Sequence, residues 1–148
     1  MDLPNWLMRV AGWAIPHRRR RTSLLRTVER FEPKALLSAF IVDSPLDQPD
    51  ANPGDGFALT ASGQTTLRAA VQEANAGPGP DTIFLPPGVL NLSLSGLTDH
   101  TAQSGVLEIT DDLTIVGAGQ HVTFLDATQI DSAFHIHSGI LLNLDDLT

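Results

Sequence analysis

The feature that most constrains this chain is a phrase it uses twice. Ser-Gly-Val-Leu-Glu-Ile-Thr-Asp-Asp-Leu-Thr at 104–114 returns as Ser-Gly-Ile-Leu-Leu-Asn-Leu-Asp-Asp-Leu-Thr at 138–148. A hairpin reverses the chain, so a set of hairpins does not repeat a strand-and-turn phrase in the same order and direction. Stacked passages that each bring the chain back to the same face do so. Apolar residues at alternate positions, as in Ile140, Leu142 and Leu144, then line one face of a parallel layer. The same match sets Asp111 and Asp112 against Asp145 and Asp146. Four carboxylates stacked so closely would raise a pKa or recruit a cation such as calcium. The plainer and preferred reading is a solvated corner that opens each strand, where Asp supplies turn hydrogen bonds.

Other short runs rich in Ile, Val, Leu, Thr and Phe fit this pattern: 82–85, 89–94, 106–109, 113–116, 122–125, 134–137 and 140–144, each bounded by Gly, Pro, Asp or Ser. A single helical pattern precedes all of them. Leu67, Ala70, Val71 and Ala74 recur at i, i+3, i+4 and i+7 behind a Thr65 or Thr66 cap, and Gly77-Pro78 ends the run. About eleven residues cannot hold a helix alone, so this one must dock on something. One helix among many strands excludes a doubly wound α/β sheet and leaves an all-β class.

Charge divides the chain by position. Residues 1–34 hold eight of the nine basic residues and three acids, a net +5; from residue 35 onward Arg68 stands alone against fourteen acids, a net −13. A basic leader before an acidic body is the simplest reading. The run Arg18 to Arg21 has no stacking aromatics or reading helix beside it, and Tyr is absent, so nucleic acid is not an expected partner. With no Cys, disulfides, thiolate metal sites and thiol nucleophiles are excluded. Leu3 to Ile15, the most apolar N-terminal stretch, is broken by Arg9 and Gly12 and falls short of a bilayer span, so no transmembrane segment is expected.

Residues 43–56 combine three prolines, two glycines and four aspartates and read as a loop. Asp47, Asp50, Asn52 and Asp55 could offer hard oxygen ligands to calcium, but their spacing is not that of a helix-loop-helix calcium site. A solvated acidic turn is preferred. His135 and His137 flank Ile136 and so project from one strand face, about 6.5 Å apart along the chain. Two imidazoles permit a shared metal, yet no third ligand is evident and one of the neighbours is aliphatic Leu141, so a surface pair is the preferred reading. Arg68, within the helix, is expected to pair with an acid or to cap strand carbonyls.

Three segments carry a resemblance. Val28-Glu29-Arg30-Phe31-Glu32-Pro33-Lys34-Ala35-Leu36-Leu37-Ser38-Ala39, after the arginine run, resembles the LEPR-XLL motif of large secreted or surface proteins of environmental bacteria, with Phe31 for Leu and Lys34 for Arg. The same residues also read as a short amphipathic helix with Leu24, Leu25, Val28 and Phe31 on one face, stopped at Pro33. From Val42 to about Leu94 the chain is similar to the CSLREA-type N-terminal region of bacterial right-handed parallel β-helix proteins. Leu67, Arg68, Ala70, Asn75, Asp81, Thr82, Ile83, Pro86 and Gly88 keep that pattern, and Thr65 and Ala69 depart from it. Leu113-Thr114-Ile115-Val116-Gly117-Ala118-Gly119 is similar to the first coils of pectate-lyase-like β-helices.

The resemblance implies an all-β chain: the incomplete N-terminal coils of a right-handed parallel β-helix behind a short capping α-helix. It divides into a basic leader (1–40, mostly disordered or helical), an acidic Pro/Gly-rich loop (41–64), and the cap helix with the first coils (65–148). The expected function is a non-catalytic, structural or adhesive module, secreted or at the bacterial cell surface, whose partners are cell-wall or extracellular polysaccharide. The alternatives are the N-terminal fragment of a polysaccharide lyase or glycoside hydrolase whose catalytic coils are missing, or a truncated reading frame without independent function. Lyases of the family use acidic calcium ligands with an Arg or Lys base, and Arg68 is the one cation after residue 34. No catalytic residue or cofactor is therefore assigned, and calcium at Asp47, Asp50, Asp55, Asp111, Asp112, Asp145 or Asp146 is the sole candidate ion. Leu147 and Thr148, as counterparts of Leu113 and Thr114, would start a strand, which leads to the further expectation of self-association through an open C-terminal β edge.

Overall fold

A computed structural model describes residues 37–96 and 101–148, all within one unit that runs from Pro33 to Thr148. Strand β1 (Ala39–Ile41) comes first, then helix α1 (Leu67–Ala76), then seven strands: β2 (Asp81–Phe84), β3 (Gly88–Asn91), β4 (Leu107–Ile109), β5 (Leu113–Val116), β6 (Thr123–Asp126), β7 (Phe134–Ile136) and β8 (Leu142–Asp145). The described residues are thus mostly strands with one helix. Every strand pairing is parallel, in one sheet ordered β1-β2-β5-β8 and two pairs, β3-β6 and β4-β7. From β2 onward the chain enters the three sheets in a fixed order, and enters them in that order again from β5.

The strands are short, so each ladder supplies few hydrogen bonds and the side-chain rows between them matter more. Ile83 pairs with Ile115, which pairs with Leu144, and Asp81, Leu113 and Leu142 form the neighbouring row. Leu90 pairs with Leu125, Leu107 with Phe134, and Ile109 with Ile136. The inward members Ile83, Leu90, Leu107, Ile109, Leu113 and Ile115 are buried, while Ile136 and Leu144, farthest from α1 in their rows, are about half exposed. Such like-on-like stacking is how a parallel layer keeps period-2 sequences on one buried face.

Helix α1 forms where the spacing predicts it. Thr66 is the N-cap, its hydroxyl accepting from the Ala69 amide at 3.1 Å. The helix has more than the expected apolar stripe, because Leu67 through Ala74 are all buried, Arg68, Gln72 and Glu73 included. Those polar side chains satisfy backbone groups of neighbouring loops. Gln72 accepts from the Asp50 amide at 2.7 Å and donates to the Thr101 carbonyl at 3.0 Å. Glu73 takes the amides of Gly54 and Gly56, both at positive φ, where an L side chain would be strained. Asn75 donates to the Glu108 carbonyl at 2.7 Å and accepts from the Thr110 amide at 2.9 Å, so a side-chain amide covers the edge of β4.

Arg68 lies at the centre. Its side chain and that of Asp47 are fully buried, with Nε to Oδ1 at 2.5 Å and an NH2 to Oδ2 at 3.1 Å. Its Nη1 and Nη2 also donate to the carbonyls of Ala102 and Gly105, both at 2.9 Å. Asp47 Oδ2 also accepts from the amides of Ser93 and Leu94 at 2.7 Å.

The structure departs from expectation at two places. Strand β1 begins inside the 1–40 segment given to the leader; Phe40 pairs with Ile83, and Asp81 Oδ1 accepts from the Ser38 amide at 2.8 Å. So short a strand is not revealed by periodicity. Residues 1–36, the arginine run among them, lie outside the described residues. The second correction concerns the repeat. The phrase aligns Leu113 with Leu147, whereas the ladder pairs Leu113 with Leu142. Leu147 and Thr148 therefore do not restart the first sheet. Thr148 instead donates to the Thr123 carbonyl at 2.9 Å and accepts from the Leu125 amide at 2.8 Å, lying along β6. Segments between strands differ in length from one passage to the next, and backbone pairing fixes register where the letter match does not.

Replacing Arg68 by Met is expected to cost about 3–5 kcal/mol, because it leaves the Asp47 carboxylate buried without its cation. Urea unfolding of the full chain measures this. Adding Asp47→Asn to the same chain should recover part of the loss.

Candidate metal centre

The parallel ladder between β4 and β7 brings Glu108 directly opposite His135. Leu107 and Ile109 turn inward with Phe134 and Ile136, which leaves Glu108, His135 and His137 on the other face. His135 meets the Glu108 carboxylate with its nearer ring nitrogen, Nδ1 to Oε2 at 2.8 Å. His137, farther along the strand, must reach back and uses Nε2, 2.9 Å from the same oxygen. The ring centroids stand 5.3 Å apart at an interplanar angle of 43°. The carboxylate is fully buried, whereas the His135 and His137 side chains are 53% and 34% exposed. The group is thus anchored at its base and open to solvent above.

Among the described residues this is the one set of three or more His, Asp or Glu side chains whose ligand atoms all lie within 4.8 Å of one another. The third member was missed in the sequence. Glu108 stands in the preceding passage of the chain, and the repeated phrase aligns it with Leu142 instead of His135. Only the true register identifies it.

The sequence-derived calcium candidates are not gathered. Asp47 is committed to Arg68 and to two backbone amides. Asp50 Oδ1 accepts from the Asn52 amide at 2.8 Å, and Asp55 accepts from Asn52 Nδ2 at 3.1 Å and from the Phe57 amide at 2.9 Å. These are turn contacts within the loop, as expected of Asp there. Asp111 accepts from the Gly79 amide at 3.0 Å and the Asp112 amide at 2.8 Å, and Asp112 from the Leu141 amide at 2.8 Å.

The stack of Asp111 and Asp112 on Asp145 and Asp146 does not form. Asp112 stands level with Leu141, and Asp145 pairs with Val116 at the far end of the strand, about 13 Å away along the chain direction. Asp145 and Asp146 instead offer their carbonyls to the amides of Gly117 and Gly119 at 2.8 and 3.0 Å. Gly117 is required at that corner, since a Cβ there would overlap the Asp146 carbonyl oxygen.

Burial raises the carboxyls of Asp50 and Asp81 above their ordinary 3.8, with Glu73 and Asp55 adding repulsion at Asp50 and Asp111 at Asp81. Asp126 moves down, because the Thr128 amide donates to it at 2.9 Å. A carboxyl raised on folding contributes stability that is fully present below its unfolded value and is lost as pH rises through the folded value. Asp81→Asn keeps the acceptor for Ser38 and cannot ionise. Its stability relative to the parent chain should therefore increase from about pH 3 to about pH 7 in urea unfolding, with Asp50→Asn behaving alike; a difference independent of pH would contradict this.

Comparison of the chain with protein-family models, with curated proteins and with solved structures finds no match.

Proposed function

We propose that this chain supplies the N-terminal coils of a right-handed parallel β-helix, capped by α1, in a bacterial protein that is secreted or held at the cell surface. The observation that carries the reading is the cyclic use of three parallel ladders: β2, β3, β4, then β5, β6, β7 beside them, then β8 beside β5. Leu67, Arg68 and Asn75, three of the residues that keep the family pattern, make the contacts that a cap would require. Leu67 is buried, Arg68 ties the acidic loop to the segment before β4, and Asn75 covers the β4 edge. Among the described residues no helix is long and apolar enough to cross a membrane.

The role that follows is structural or adhesive, with the outward strand faces offered to extracellular polysaccharide. A lyase of this kind needs an accessible Arg or Lys side chain that can give up its own proton and then, as the neutral base, take one from a sugar carbon. Arg68, the one Lys or Arg after residue 34, has its side chain buried against Asp47 and two carbonyls, which supports the non-catalytic reading.

Two measurements test this. A reporter fused after Ala39 should leave the cytoplasm of a bacterium that carries leaders of this type, and wholly cytoplasmic retention would remove the assignment to the surface. The purified chain should release no unsaturated product from polygalacturonate with calcium present, followed by ultraviolet absorbance. Product formation abolished by Asp111→Asn with Asp112→Asn would establish the enzyme instead.

A further inference from the structure

We infer that Glu108, His135 and His137 bind one divalent transition ion of the zinc class on the outer face of the β4-β7 ladder. The donor set is two imidazole nitrogens and a carboxylate oxygen, which suits zinc, cobalt(II), nickel or copper(II) and not calcium or magnesium, whose ligands are oxygens. The geometry requires little movement. Nδ1 of His135 and Nε2 of His137 lie 2.8 and 2.9 Å from Oε2, and all three atoms lie within 4.8 Å of one another. A tetrahedral ion with bonds of about 2.0–2.1 Å separates its donors by about 3.3 Å, so small rotations of the two rings open the space.

The surroundings favour an ion as well. The carboxylate is fully buried beneath the two rings, with one oxygen 2.8 and 2.9 Å from their nitrogens, and a buried carboxylate is satisfied by a paired cation or a metal. The exposed sides of His135 and His137 leave a path from solvent and room for water to complete the coordination. The acidic body, with a net −13 after residue 34, favours approach of a cation. Glu108 belongs to one passage of the chain and both histidines to the next, so the ion would staple β7 to β4 where the apolar row ends on half-exposed Ile136. This stands apart from the proposed surface role, since the site needs only the observed register.

The full chain, purified without a polyhistidine tag, is titrated with zinc chloride by calorimetry and with cobalt(II) by visible absorption. One ion per chain is expected, with cobalt bands in the visible region, and a rise of about 5 °C or more in the unfolding midpoint at about a hundredfold excess over Kd. Calcium and magnesium at the same concentrations should leave the midpoint unchanged. His135→Ala and His137→Ala should each weaken binding at least tenfold, and Glu108→Gln likewise. The two histidines are partly exposed, so far-ultraviolet dichroism of their variants without metal should match the parent chain and separate loss of the site from loss of the fold. Absence of saturable uptake in the parent chain, or uptake undiminished in the His135→Ala/His137→Ala double variant, would overturn the assignment.

Discussion

The buried pair of Arg68 and Asp47 is the constraint on which the rest of the described structure depends. Guanidinium presents its donors in a rigid fork, and here the fork is divided between one carboxylate and two backbone carbonyls, Ala102 and Gly105. The carboxylate in turn takes the amides of Ser93 and Leu94. Four stretches of chain, remote in sequence, are thereby held by two side chains. A pair so buried does not have to add net stability over apolar residues of the same size. Its contribution is to fix position, because displacing the loop or the helix parts the two charges, and displacing the segment before β4 leaves buried guanidinium donors without acceptors.

Around that pair, α1 solves a problem that parallel strands create. A first strand in a parallel ladder has one edge of unpaired amides and carbonyls, open to any other chain. At β4 the Asn75 amide group supplies both a donor and an acceptor to that edge. At the adjacent sheet β1 does the same with backbone, pairing along β2. The polar residues of the helix are consequently buried with it. Gln72 and Glu73 hold the acidic loop by its amides, so a segment whose composition reads as a solvated turn is partly drawn into the core.

Register then decides chemistry. Because side chains alternate along a strand, a shift of pairing changes which groups face each other. The observed pairing sets Glu108 against His135 and parts Asp112 from Asp145. The gathering of Glu108, His135 and His137 and the failure of the aspartate stack are two results of one set of backbone hydrogen bonds. The repeated phrase suggested the opposite on both counts, because its two copies are alike in letters and not in position.

The elements and their sense are legible in the amino-acid order. Thr66, the i, i+3, i+4 spacing and Gly77 placed the helix, and strands β2 through β8 fall close to the runs of alternating apolar residues. Parallel pairing was legible from a phrase repeated in one direction, and a partner for Arg68 from the scarcity of other cations. Tertiary structure alone decided β1, the pairing of Leu113 with Leu142 and of Glu108 with His135, the burial of the helix's polar face, and Glu108 as the third member of the histidine group. The reason is physical. Local spacing records which face of an element is apolar, whereas the length of chain spent in each corner sets the register, and that length is fixed by backbone hydrogen bonds between residues far apart in sequence.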